Sequence, residues 1–134
     1  MTPHLSHRPS ARRAGSELLV LARWEEFTGW LLAHTARWPR SARFTLCRRV
    51  QDHALDITEL LVVARYERGR RRNTLRDVNL RLERMRLLFR LAVGAGVMPR
   101  RGFETAMRGV DEAGRMVHGW RERLADEKAP EEAR

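Results

Sequence analysis

A single cysteine, Cys47, leaves this chain of 134 residues no internal disulfide to form. It falls on an apolar helical face, so it is expected to be a small core residue rather than a reactive thiol, and to suit a reducing compartment. Nowhere does the chain offer the roughly 18 consecutive apolar residues that would cross a membrane. The start, MTPHLSHRPSARRAG, is polar where a secretion signal would carry an unbroken apolar core. The expectation is a soluble, cytoplasmic protein with no membrane partner.

Signatures of catalysis are equally scarce. Glu-x-x-His, the pair by which helical bundles hold metals, does not occur, nor do a phosphate-cradling glycine loop, HExxH or GxSxG. His34, His53 and His118 fall on three different predicted helices, and His4 and His7 lie in the polar start. Asp52, Asp56 and Glu59 run along one predicted helix and are better explained as partners of arginines than as a general acid and base. We therefore expect no metal, no cofactor and no enzymatic activity.

Lysine is almost missing too. One lysine stands among 27 basic side chains, against 17 acidic ones, for a net charge of +10. Guanidinium groups grip phosphates in a bidentate manner and stack on bases, so the excess points to a polyanionic partner rather than to a particular fold.

What the chain has in abundance is helical period. Leu75, Val78, Leu82, Met85, Phe89 and Ala92 recur at steps of three and four, the stripe that a helix buries. At about 100° per residue, Leu80, Leu87 and Leu91 form a second stripe roughly opposite the first, where the outside of a lone bundle is polar. This helix is expected to have two partners.

Residues 1–15 carry Pro3, Pro9, Gly15 and basic side chains without period, and read as a disordered basic arm. Ser16 is placed to cap a first helix whose face Val20, Trp24, Phe27, Leu31 and His34 leads to Trp38, with Pro39 ending it. Ser41 can start a second helix with Cys47, Val50, Ala54, Ile57, Leu61 and Ala64 inward. Gly69 closes that helix and Asn73 or Thr74 caps the third, and so short a connection forces antiparallel neighbours. The third helix ends near Gly94 and Gly96; Pro99 suits the first turn of a fourth, with Phe103, Ala106, Val110, Ala113, Val117, Trp120 and Leu124 inward. Glu104 with Arg108 and Asp111 with Arg115 stand at i, i+4 on its polar side. The fold class is all-α: an up-down-up-down antiparallel four-helix bundle over residues 16–125, followed by a frayed charged tail, 126–134.

In that topology each end of the bundle carries its own basic cluster. One end has Arg68, Arg70, Arg71, Arg72 and Arg76, with Arg121 and Arg123 from the fourth helix; the other has Arg37, Arg40, Arg43, Arg100 and Arg101. Arg65 and Arg68 offset the partial negative charge of a helix C-terminus. Arg100 and Arg101 stand at a helix N-terminus, and Arg70 to Arg72 repel one another with no acidic neighbour inside the turn. Such placements cost stability and favour a phosphate-bearing partner, contacted with little sequence specificity.

The stretch from Arg43 to Ala92, with DEAGRMVHGW at Asp111 to Trp120, resembles the accessory variability determinant (Avd) proteins of diversity-generating retroelements. These are related to the four-helix bundle proteins encoded in intervening sequences of bacterial 23S ribosomal RNA genes. The resemblance spans roughly Trp30 to Leu124. Its most specific pieces are RFTL at Arg43, ARYERG at Ala64, NLRLERMRLLFRLA at Asn79 and GRMVHGW at Gly114. It implies a homopentameric barrel, basic on its surface, that binds the element's reverse transcriptase and its template RNA or cDNA and supports error-prone copying of adenines. The polymerase site would belong to the partner, and the ring would bury Leu80, Leu87 and Leu91. Cys47 departs from the small, glycine-like residue expected there. The alternative is an intervening-sequence-type bundle with an RNA-binding or structural role and no transcriptase partner.

Overall fold

The computed structural model describes residues 9–132, with side-chain surroundings over 15–126. Four helices dominate: α1 (Pro9–Thr35), α2 (Arg48–Tyr66), α3 (Arg71–Gly94) and α4 (Arg100–Glu132). Each packs on the next, and α4 closes against α1, which gives a square, alternating bundle. No strand occurs among the described residues. None of the helices is long and apolar enough to cross a membrane.

The inward stripes meet as their spacing demands. Val20, Trp24 and Leu31 from α1, Val50, Ile57 and Leu61 from α2, Leu75, Leu82, Met85 and Phe89 from α3, and Val110, Val117 and Trp120 from α4 form one buried core. Some polar atoms that enter it are paired, although the indole Nε1 atoms of Trp38 and Trp120 have no partner among the described residues. The Trp24 indole Nε1 donates to the Ala54 carbonyl at 3.0 Å, and Gln51 Nε2 donates to the Thr35 hydroxyl at 2.8 Å. Cys47 is buried with its Sγ 3.6 Å from the Thr35 carbonyl.

Along the α1–α4 seam the rings of Trp24, Phe27, Trp30 and His34 follow one another at centroid spacings of 5.0, 5.8 and 4.9 Å. Opposite them on α4 stand Gly102 and Gly109, where an added Cβ would land in the rings of His34 and Phe27 respectively. Two missing side chains thus admit two aromatic ones.

Where the boundaries differ from expectation, the reasons are local. Helix α1 begins at Pro9, inside the segment read as a loose arm, and Ser16 lies within it rather than capping it; residues 1–8 lie outside the described residues. Helix α4 runs on to Glu132 through the segment read as a frayed tail. Instead of an α-helix from Ser41, a 3-10 turn (Arg40–Ala42) and a π turn (Arg43–Cys47) precede α2. Helix α2 ends at Tyr66, and Gly69 sits in a 3-10 turn (Arg68–Arg70) that feeds α3 directly, so Asn73 and Thr74 are interior. The end of α3 follows expectation: Gly96 has φ +72°, with Val97 N–H bonding to the Ala92 carbonyl and Gly96 N–H to Val93, a Schellman closure in which glycine is the favoured residue.

Candidate nucleic-acid interface

On the flanks of the bundle the charge is partly paired between helices: Arg81 and Arg86 meet carboxylates, whereas Arg84, Arg108 and Arg115 have none within ion-pairing distance among the described residues. Arg81 on α3 bonds to Asp56 on α2 at 2.9 Å and stands 3.6 Å from Asp77; Arg86 bonds to Asp111 on α4 at 3.0 Å and also to Glu83. Asp111 therefore serves α3 rather than Arg115, and Arg108 donates to Thr105 rather than to Glu104. Asp56 behaves as the arginine partner its position suggested, and Asp52 stands 3.9 Å from Arg48.

At the end formed by the α1–α2 and α3–α4 connections stand Arg37, Arg40, Arg43, Arg100 and Arg101, all exposed. Among the described residues none of the five has a carboxylate within ion-pairing distance. The cost of placing Arg100 and Arg101 at a helix N-terminus is therefore not relieved by an ion pair among the described residues.

The opposite end is different, and Arg71 is the correction it forces. Far from lying in an open arginine turn, the Arg71 side chain is only 11% exposed. Its Nε donates to the Ala64 carbonyl at 2.5 Å and its Nη2 to the Arg65 carbonyl at 2.8 Å, which satisfies the unpaired C-terminal carbonyls of α2. Its guanidinium also lies 5.6 Å from the centre of the Trp120 ring and 3.8 Å from Glu17, a buried carboxylate of α1 that Arg65 approaches to 3.4 Å. Arg71 is a cap and a strut, and leaves the set of candidate binding residues. The turn does have an acidic neighbour as well: Glu67 pairs with Arg70 at 2.8 Å. Arg68, Arg72 and Arg76 remain exposed, and Arg72 shares a shallow depression of about 380 Å³ with Arg121 and Glu122.

Outside the charge, Leu80, Leu87 and Leu91 stand in line on the outer face of α3, at 51, 50 and 52% exposure. Leu55, Val62 and Tyr66 likewise share the outer side of α2. One aromatic that the angular reading left unassigned is Phe44, which projects from the π turn beside Arg43. A period of 3.6 cannot place a residue inside a π turn, so only its neighbourhood of arginines marks it in the sequence.

The buried titratable groups are packing elements. Burial lowers the pKa of His34, with Arg37 adding to the effect, and its Nε2 has no partner. Burial and then Arg81 and Arg84 lower that of His53. Among the described residues no three His, Cys, Asp or Glu side chains stand together as a metal site would require.

The family model described as bAvd-like matches residues 18–124. No curated protein and no solved structure matches the chain.

Proposed function

The chain belongs to the bAvd-like family, and on that premise we propose that it is a non-catalytic accessory protein of a diversity-generating retroelement, binding the element's reverse transcriptase and its template RNA or cDNA. The observation that carries this reading is the concentration of arginines at one end of the bundle: Arg37, Arg40, Arg43, Arg100 and Arg101 are exposed there with no carboxylate within ion-pairing distance among the described residues. Arg68, Arg70, Arg72 and Arg76 form the second, partly compensated cluster. Guanidinium groups so placed contact phosphates, hold a strand without reading its sequence, and lose affinity steeply with salt. In this role the protein positions template and polymerase, and the partner carries out the copying.

Self-assembly into a homopentameric ring belongs to the same proposal. A closed ring of more than two subunits joins two unlike patches of each protomer. The outer leucines of α3 supply one, and Leu55 with Val62 on α2 supply a second apolar surface for it to meet.

Co-expression with a reverse transcriptase of such a retroelement, followed by pull-down at low and high salt, tests the reading. Co-purification of the transcriptase with RNA at low salt, and loss of RNA at high salt, is the expected result. Salt-sensitive RNA binding with no transcriptase captured would favour the intervening-sequence type of bundle. Association with neither would remove the proposal.

A further inference from the structure

Phe44 is the most exposed large apolar side chain among the described residues, at 76%. Its position follows from the backbone. Ala42 and Cys47 are both buried although they are five residues apart, a separation that would set them about 140° apart on an α-helix. The wider π turn over Arg43–Cys47 turns both inward and leaves Arg43 and Phe44 outward. Phe44 thus emerges in the connection that also carries Arg37, Arg40 and Arg43, at the end of the bundle where Arg100 and Arg101 open α4.

We propose that Phe44 is a base-stacking platform, and that this end of the bundle takes single-stranded RNA or DNA in preference to duplex. The proposal rests on the polyanion reading above and deepens it, naming the strand form and the residue that selects it. An exposed ring at an end of the bundle that also carries guanidinium groups without ion pairs among the described residues suits a ligand with an anionic backbone and accessible π faces. A single strand offers both, whereas a duplex keeps its base faces inside the stack and offers only phosphates. A second copy that docked through this same end would be a poor occupant, because it would bring its own arginines against these.

The opposite end is less suited to the task. Tyr66 is also exposed there, at 69%, but the Arg65 guanidinium already lies 5.4 Å from its ring centre. Of the nearby arginines, Arg71 is committed to carbonyls of α2 and Arg70 to Glu67.

Fluorescence anisotropy on the full chain tests this, with labelled oligo-uridylate of about a dozen nucleotides, a typical site size, and an RNA duplex of equal length as probes. Phe44→Ala is expected to weaken single-strand binding by about 5- to 150-fold, the effect of losing one stacked base, with duplex binding changed less than about twofold. Phe44→Trp should retain single-strand affinity and add an emission component that the oligonucleotide quenches. Single-strand binding by Phe44→Ala equal to the parent's, or an equal loss for both probes, would overturn the inference while leaving the phosphate contacts standing. A lowered mass of Phe44→Ala in light scattering would overturn it in favour of a contact between copies. A parent chain that binds neither probe would instead remove the polyanion reading on which it rests.

Discussion

Replacing Arg71 by alanine separates an arginine that holds the bundle together from neighbours that face solvent. The guanidinium makes two hydrogen bonds to helix-terminal carbonyls, at 2.5 and 2.8 Å, covers Trp120 and faces the buried Glu17. Hydrogen bonds to a charged donor contribute about 1.5–3 kcal/mol each, and the cation–π contact about 0.5–1 kcal/mol. Truncation admits water to the Ala64 and Arg65 carbonyls, and Glu17 keeps Arg65 at 3.4 Å, so the loss falls just below the roughly 3.5–7 kcal/mol that these contacts span together. We expect about 3 kcal/mol. With a urea m-value of about 2 kcal/mol/M, the midpoint drops by about 1.5 M. The assay is urea unfolding followed by circular dichroism, at one fixed protein concentration because assembly would couple to stability. Arg72→Ala, one residue on and exposed, should keep the parent's midpoint and weaken RNA binding. An Arg71→Ala chain with the parent's midpoint and an RNA defect as large as that of Arg72→Ala would refute the cap assignment.

The glycines of α4 and α1 should respond in opposite directions. Gly109→Ala drives a methyl group into Phe27 and should destabilise by about 1–2 kcal/mol, whereas Gly29→Ala meets open space in the interior of α1 and should stabilise by about 0.5–1 kcal/mol, both read as thermal midpoints. Leu87→Glu should leave a helical protein of lower mass than the parent in sedimentation; a monomeric parent would defeat the ring. Acid should weaken the fold through His34 and His53, whose pKa values are lowered in the native state. The unfolded chain then binds more protons, so their contribution is intact above about pH 6.5 and declines as pH falls from there toward the depressed native values. His34→Phe should flatten the fall in Tm measured between about pH 8 and pH 5, and a slope unchanged in that variant would show that the ring does not titrate with folding.

The stripes of α3 and α4 were legible because a 3.6-residue period survives in any sequence that buries one helical face. Gly96 was legible for a similar reason, since a left-handed φ narrows the choice of residue. The start of α2 was not, because a π turn breaks the period that sequence reading depends on. The arginine turn was legible in composition but not in role. Arg70, Arg71 and Arg72 look alike in a string of letters, yet one of them meets carbonyls six and seven residues back and a carboxylate more than fifty residues away. Long-range pairing of this kind also diverted Asp111 from its i, i+4 neighbour to Arg86 on another helix. The apolar face of α3 could be read at the level of which residues are exposed, because angle alone decides it.

The π turn has a genetic corollary. Its five residues hold one more than the α ladder needs, so the reading frame contains a codon whose removal would leave Val50, Ile57 and Leu61 in register with the rest of the core. Such a deletion should cost the gene less here than at other points of α2, where it would rotate half the helix by about 100°. The chain upstream would be wound tighter, and the directions in which Arg43 and Phe44 project would change. A one-codon length polymorphism at this point would therefore act as a natural separation-of-function allele, preserving the scaffold while redirecting what its end displays.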